Sequence, residues 1–257
     1  MMPEGSAGPI SPPLLVAHRG ASGTHPENTL AAFREALRLD ARAIECDARL
    51  SRDGTPIVLH DADLDRTTDS RGLAREATVA EIRRLSAGYP ARFGDRYASE
   101  RVPTLEEVVR LARGRAKLLI ELKWDFEDRD RASVLVQAVI DLVVATGSLT
   151  GSAILSVDTG LLAEAGRLAP ALPRGLIVPP AGTGDPIAVA RSLGARLLVA
   201  PRHALGPGLA DAARAAGLLL ATYTVDSPAD LEPLLPLGLH AFATDYPDRF
   251  AGHAALR

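Results

Sequence analysis

Residues 43–60 read Ala43-Ile44-Glu45-Cys46-Asp47-Ala48-Arg49-Leu50-Ser51-Arg52-Asp53-Gly54-Thr55-Pro56-Ile57-Val58-Leu59-His60. Two strand-like runs, Ala43 to Ala48 and Pro56 to His60, flank Ser51-Arg52-Asp53-Gly54-Thr55. A parallel crossover needs about a dozen or more residues, so this link is too short for one. Asp53-Gly54 instead centres a hairpin turn, and the second run is an antiparallel arm on the first. Counted outward from there, buried-strand runs begin at Leu14, Ala43, Leu118, Ala153, Gly175, Arg196, Leu218 and Ala241. Helical patterns separate them. Glu27 to Leu39 places Leu30, Phe33, Ala36 and Leu37 on one face, and a further helix runs from Arg131 to Ala145. Thr104 to Arg113 opens with the capping box Thr104-x-x-Glu107. Parallel strands alternating with helices, plus one hairpin arm, predict an α/β fold, a (β/α)8 TIM barrel. An open doubly wound sheet would want Gly-x-Gly-x-x-Gly after the first strand, where His18-Arg19-Gly20 stands.

Residues 61–103 break the βα rhythm and read as a small inserted subdomain, with a helical piece near Thr78 to Leu85. Residues 1–13 read as a flexible tail, and the barrel is expected over 14–257. The chain has 257 residues and a net charge of −3, which gives no electrostatic footprint for nucleic acid or an anionic membrane. The single cysteine, Cys46, excludes an internal disulfide and a cysteine-based zinc site. No apolar run approaches the roughly 18–20 residues of a membrane span, and the N-terminus has no basic and apolar leader. A cytoplasmic monomer or homodimer without stable membrane association is expected. Among 29 basic residues only Lys117 and Lys123 are lysines. A lysine kept among arginines suggests a need for a compact charge.

In barrels of this kind the chemistry lies at the C-terminal ends of the strands. Glu45 and Asp47 lie two apart on one strand and share a face, as do Glu121 and Lys123 on another. Cys46 points the other way, as a packing residue. Three carboxylates from neighbouring strands form a hard oxygen donor set, suited to Mg²⁺ or Ca²⁺. The alternative is an ordinary ion network between these acids and arginines. Charge favours the cation. Three carboxylates against Arg19 and Lys123 leave one net negative charge, which a divalent ion reverses and a phosphodiester then cancels. A turn centred at Asp53 sets His60 opposite 46–47, beside those acids. His18 ends the first strand. Two imidazoles flanking a cation suit general acid–base work. Asp61-x-Asp63-x-Asp65 is not a calcium loop, because Arg66 and Gly72 replace the required Gly and Glu. Gly206-Pro207-Gly208 reads as a turn or as a phosphate-holding helix start.

An ordered set of short motifs resembles the glycerophosphodiester phosphodiesterase family. They are Ala17-His18-Arg19-Gly20-Ala21, Pro26-Glu27-Asn28-Thr29, Glu45-Cys46-Asp47, Asp53-Gly54, His60-Asp61 and Arg66-Thr67-Thr68. Val102-Pro103-Thr104-Leu105-Glu106-Glu107, Ile120-Glu121-Leu122-Lys123 and Thr244-Asp245-Tyr246-Pro247 follow, so the match runs from about 14 to 250. The resemblance implies a distorted barrel with an insertion, and metal-dependent hydrolysis of small glycerophosphodiesters to sn-glycerol 3-phosphate and an alcohol. By position it implies Glu45, Asp47 and Glu121 as metal ligands, His18 and His60 as the acid–base pair, and Arg19 and Lys123 on the phosphate. Glu27 and Asn28 would support the site, Glu27 as a further ligand or by orienting Arg19. The order leans to His18 as base and His60 as acid. Two departures touch the alcohol side. Tyr223-Thr224-Val225-Asp226 stands where the family often has Trp-Thr-Val-Asn, and Ser156-Val157 where it often has Ser-Phe. A smaller aromatic platform weakens selection of a quaternary ammonium by cation–π contact. The alternatives are a lysophospholipase D and a non-catalytic phosphodiester-binding barrel.

Overall fold

The structure, a computed structural model, describes residues 12–124, 131–179, 184–253 and 256. The expected tail therefore lies, except for Pro12 and Pro13, outside the described residues. The strands are β1 (Leu14–Ala17), β2 (Ala43–Leu50), β3 (Pro56–Val58), β4 (Lys117–Leu122), β5 (Ser152–Ser156), β6 (Arg174–Ile177), β7 (Leu197–Pro201), β8 (Leu219–Tyr223) and β9 (Ala241–Thr244). They pair in the order β1-β9-β8-β7-β6-β5-β4-β2-β3, and a further β1–β2 pairing closes the ring. All pairings in the ring are parallel. Only β3 is antiparallel, paired to β2 through Ala48–Val58, Arg49–Ile57 and Leu50–Pro56. The molecule is a closed eight-stranded parallel barrel with one hairpin arm.

Alternation along the strands sorts the side chains into two cores. Val16, Ala43, Leu155, Ile177, Val199, Ala221 and Ala241 meet inside the barrel. Their neighbours Ile44, Cys46, Leu118, Ile120, Ile154, Leu198, Leu220 and Phe242 face outward into the larger core under the helices. The helices are α1 (Leu30–Arg38), α2 (Val79–Ile82), α3 (Pro90–Phe93), α4 (Leu105–Ala112), α5 (Ala132–Ala145), α6 (Thr159–Leu168), α7 (Pro186–Ser192), α8 (Pro207–Ala215) and α9 (Pro228–Leu231). Among the described residues no helix is long and apolar enough to cross a membrane.

The expected capping box at α4 is present, with Thr104 and Glu107 each bonding the other's backbone N–H. The first helix starts later than the expected Glu27. Thr29 is its N-cap, and Asn28 takes a left-handed conformation with φ 59°. An asparagine tolerates that region better than most residues. The turn frees Glu27 and Asn28 to reach into the barrel mouth. Gly20 lets the loop after β1 pack closely against the first turn of α1. Its φ is +82°, and a Cβ there would lie 2.6 Å from the Ala32 backbone carbon. Gly20→Ala is expected to cost about 1–3 kcal/mol, read as a lower denaturant midpoint.

After β3 the chain folds over the barrel rim around its own small core of Ile57, Leu59, Leu64, Ala74, Ile82, Ala87 and Val102. A second capping box, Thr78 with Glu81, starts α2. The segment is tied back to the first strand's loop by Arg92, whose guanidinium donates to Ser22 O and Gly23 O. Asp63 and Asp65 accept backbone N–H groups of Asp65 and Gly72, so those carboxylates are spent on turns.

Candidate active site

The C-terminal ends of β1, β2 and β4, with the residues following β3, carry the charged side chains. Parallel pairing sets Asp47 beside Glu121 and Glu45 beside Leu119. Ligand atoms of Glu45, Asp47 and Glu121 all lie within 4.8 Å of one another, and all three residues are buried. Asp47 is the most deeply held. Its Oδ2 accepts from Asn28 Nδ2 at 2.7 Å and lies 3.2 Å from Arg19 Nε, while Lys123 Nζ is 3.3 Å from Oδ1. Glu45 Oε2 accepts the Arg19 backbone N–H at 3.0 Å. Glu121 Oε1 pairs with Lys123 Nζ at 2.7 Å.

Two buried oxygens, Glu45 Oε1 and Asp47 Oδ1, have no hydrogen bond. A buried carboxylate oxygen without a hydrogen bond is costly in a native interior, and at Asp47 Oδ1 the Lys123 ammonium 3.3 Å away offsets part of that cost. The two oxygens are the coordination positions a hard cation would fill, and the all-oxygen donor set fits Mg²⁺ or Ca²⁺. The proton balance agrees. Burial first, then the charge of Asp47, pushes Glu45 up to about 8 in the ion-free chain. Glu121 is raised for the same two reasons. Burial also works against ionised Asp47, but Arg19 and Lys123 outweigh it and hold that carboxyl well below the usual range. Asp47 is therefore the charged member of the cluster, and burial together with its charge opposes further negative charge beside it.

Both histidines face this cluster, each backed by a carboxylate. His18 Nδ1 donates to Asp245 Oδ1 at 2.6 Å, and His60 Nδ1 donates to Asp61 Oδ1 at 2.7 Å. Each arrangement fixes the tautomer and leaves Nε2 available. The hairpin register continues past β3, with Leu59 N–H donating to Asp47 O at 3.0 Å, and that brings His60 to the acids. Burial depresses the His18 pKa, but the Asp245 hydrogen bond and the Glu45 charge outweigh it, and the net shift is upward. His60 shifts downward, through burial and then, against the pull of Asp47, the cations Arg19 and Lys123.

Glu27 does not join the acidic cluster. Its Oε1 accepts from Arg19 Nη1 at 2.8 Å, and its Oε2 from Arg66 Nη1 at 2.7 Å. Arg66 also forks onto Asp61, with Nε to Oδ2 at 2.6 Å. A continuous chain of charge thus runs His60–Asp61–Arg66–Glu27–Arg19–Asp47. Burial pushes the Asp61 carboxyl up, but Arg66 and His60 outweigh it and hold it at about 2. Tyr223 lines the same cavity from the far side, at the end of β8, half-buried.

Sequence reasoning assigned no role to Asp245, Asp61, Arg66, Ser22 or Asp226. Ser22 Oγ donates to Asp245 Oδ1 at 2.9 Å, and Asp226 Oδ1 accepts the Asp245 N–H at 2.9 Å, so both steady the carboxylate behind His18. The available signal was an acid beside each histidine: Asp61 next in sequence, and Asp245 at the end of the neighbouring last strand. Arg66 stood in the motif Arg66-Thr67-Thr68 without a role, because its partner Glu27 lies 39 residues away. Arg66→Ala is expected to leave the fold intact but lower kcat roughly tenfold to a hundredfold by loosening His60 and Arg19 together. Arg66→Lys should not restore it, since a point charge cannot fork onto two carboxylates. Steady-state kinetics of both variants check this.

Comparison with known proteins places this geometry. Residues 18–249 match the sequence profile of the Glycerophosphoryl diester phosphodiesterase family. The chain is 33% identical over 242 residues to a glycerophosphodiester phosphodiesterase of Caldanaerobacter subterraneus subsp. tengcongensis, covering 91% of this chain and 95% of that one. It is similar to a crystal structure of glycerophosphodiester phosphodiesterase from Agrobacterium tumefaciens, with a TM-score of 0.79 and 32% identity over 93% of this chain and 99% of that one. It is also similar to an Oleispira antarctica phosphodiesterase in complex with the product sn-glycerol-3-phosphate. There the TM-score is 0.81, with 28% identity over 91% of this chain and 94% of that one.

Proposed function

The chain belongs to the glycerophosphoryl diester phosphodiesterase family, and from that premise we propose that it hydrolyses glycerophosphodiesters to sn-glycerol 3-phosphate and an alcohol, depending on a divalent cation. The observation that carries the reading is the buried cluster of Glu45, Asp47 and Glu121, whose ligand atoms lie within 4.8 Å of one another and in which Glu45 Oε1 has no hydrogen bond, beside two carboxylate-backed histidines. Glu45, Asp47 and Glu121 hold the cation, Mg²⁺ or Ca²⁺, which when bound supplies neutralisation of the charge that develops on a phosphate oxygen. Arg19 and Lys123 bind the diester anion and orient it. Their partners fix them first: Glu27 and Asp47 hold the guanidinium, and Glu121 holds the ammonium. Asn28 keeps Asp47 turned toward the cluster.

The reaction transfers two protons. An oxygen nucleophile, from water or the neighbouring glycerol hydroxyl, forms the new bond to phosphorus and loses its proton to His18 Nε2. The phosphorus–oxygen bond to the alcohol breaks, and His60 Nε2 protonates the departing oxygen. If the glycerol hydroxyl attacks, a cyclic phosphate forms, and water opens it in a second step. The His60 side chain is 32% exposed against 17% for His18, so His60 is the imidazole in readier proton exchange with solvent. The pKa directions of the ion-free chain run against His18 as base and His60 as acid. The leaving-group experiment below therefore decides the order.

Two measurements test the reading. Release of glycerol 3-phosphate from glycerophosphocholine and glycerophosphoethanolamine is expected to vanish in EDTA and return with Mg²⁺ or Ca²⁺. Release that persists in EDTA sinks the cation requirement. The proton order is read from the leaving group. His60→Ala should recover much of its lost rate on a nitrophenyl diester, whose phenolate leaves without a proton, whereas His18→Ala should not. Recovery by the His18 variant alone reverses the assignment.

A further inference from the structure

The cavity that holds the charged site has a volume of about 310 Å³, and its two sides differ in chemistry. His18, Arg19, Glu45, His60, Glu121 and Lys123 line the side built from β1, β2, β4 and the segment after β3. Leu155, Val157, Ile177 and Val199 line the opposite side, from β5 and the residue after it, β6 and β7. No charged side chain among the described residues lies on that wall. Thr222, also at the cavity, spends its hydroxyl on Ala200 O at 2.9 Å.

Barrel interiors of this kind are normally filled by layers of bulky branched side chains. Here β8 and β9 contribute Ala221 and Ala243 at the cavity, so the interior is left hollow next to the apolar wall. Water in such a space finds few partners, and an apolar group gains by displacing it. The two ends of a glycerophosphodiester are therefore sorted. The glycerol hydroxyls need hydrogen-bonding partners, and a hydroxyl buried without one is costly. Those partners lie on the charged side. The other alcohol meets the apolar wall. A cationic head group on that wall would find no charged side chain among the described residues, and the carboxylates of the cavity, Glu45 and Glu121, lie on the charged side.

On the reading of the reaction given above, we infer that the wall formed by Leu155, Val157, Ile177 and Val199 selects glycerophosphodiesters whose second alcohol is uncharged and apolar. The ester of a straight-chain alkanol is the simplest member of that class.

The test compares methyl, butyl and hexyl esters of sn-glycerol 3-phosphate with glycerophosphocholine, following glycerol 3-phosphate release by the cation-loaded enzyme. The inference expects kcat/KM to rise about three- to fourfold for each methylene that becomes buried, and the hexyl ester to exceed the choline ester. Ala221→Leu, which fills the hollow, should flatten the chain-length slope. Val157 is 46% exposed, so its substitution spares the core. Val157→Asp should lower the hexyl ester and raise the choline ester, reversing their order. A flat or falling slope alongside ready release from the choline ester overturns the inference and leaves the reading of the reaction standing. No release from any ester with either cation overturns that reading, and the inference with it.

Discussion

His18→Ala and His60→Ala are each expected to fold normally and lose roughly 10²–10⁴ in kcat with little change in KM. The phosphate is gripped by Arg19 and Lys123, whose carboxylate partners survive either change. Neither imidazole supports the core. His18 follows β1 and among the described residues its ring bonds Asp245, and His60 lies beyond the hairpin with its ring bonded to Asp61. Thermal unfolding should therefore shift little while turnover collapses. Asp245→Asn and Asp61→Asn should give smaller losses and move the pH profile, because each removes a charge that favours its histidine's protonated form. Near-wild-type turnover in either alanine variant removes that residue from the mechanism.

How much of this was legible beforehand follows from the range of each interaction. The barrel was legible because strand and hairpin signals are local. Five residues between two strands exclude a crossover wherever the rest of the chain goes. The acidic triad was legible because period-two alternation is a property of any strand, so Glu45 with Asp47 and Glu121 with Lys123 shared faces before the strands were paired. The start of α1 was misread because the Glu27–Leu39 periodicity does not report the left-handed turn at Asn28. That turn is fixed by a contact with Asp47, 19 residues on. The role of Arg66, though not its motif, was illegible for the same reason. Its bonds to Glu27 and Asp61 depend on how the inserted segment folds over the rim. The hollow beside β8 and β9 arises from a shortage of bulk at inward positions, which no motif records.

The two inner acids of β2 should respond in opposite ways to the same isosteric change. Asp47 is fully buried among Asn28, Arg19 and Lys123. Asp47→Asn removes the anion that two buried cations face, and uncompensated charge of that kind costs about 3–5 kcal/mol. Glu45 differs, because without a cation it is held protonated up to about pH 8 by burial and by Asp47. Glu45→Gln imitates that protonated form, so the ion-free variant should be at least as stable as the parent at neutral pH, yet fail to bind the cation and turn over. The sign follows from linkage. A carboxyl raised from 4.5 to about 8 stays neutral in the folded chain while the unfolded chain ionises, so ion-free stability falls as pH rises across that window. A cation removes the penalty by taking the proton's place, and the rise in Tm on adding it should grow from pH 5 to pH 8. In Glu45→Gln the growing shift should disappear and the underlying fall should shrink to the part that Glu121 contributes. Thermal melts of the parent and the two variants, with and without Mg²⁺ or Ca²⁺ at several pH values, separate the two acids. Equal destabilisation by both substitutions would mean that Glu45 is charged in the empty site, and that the orphaned oxygens do not wait on a cation.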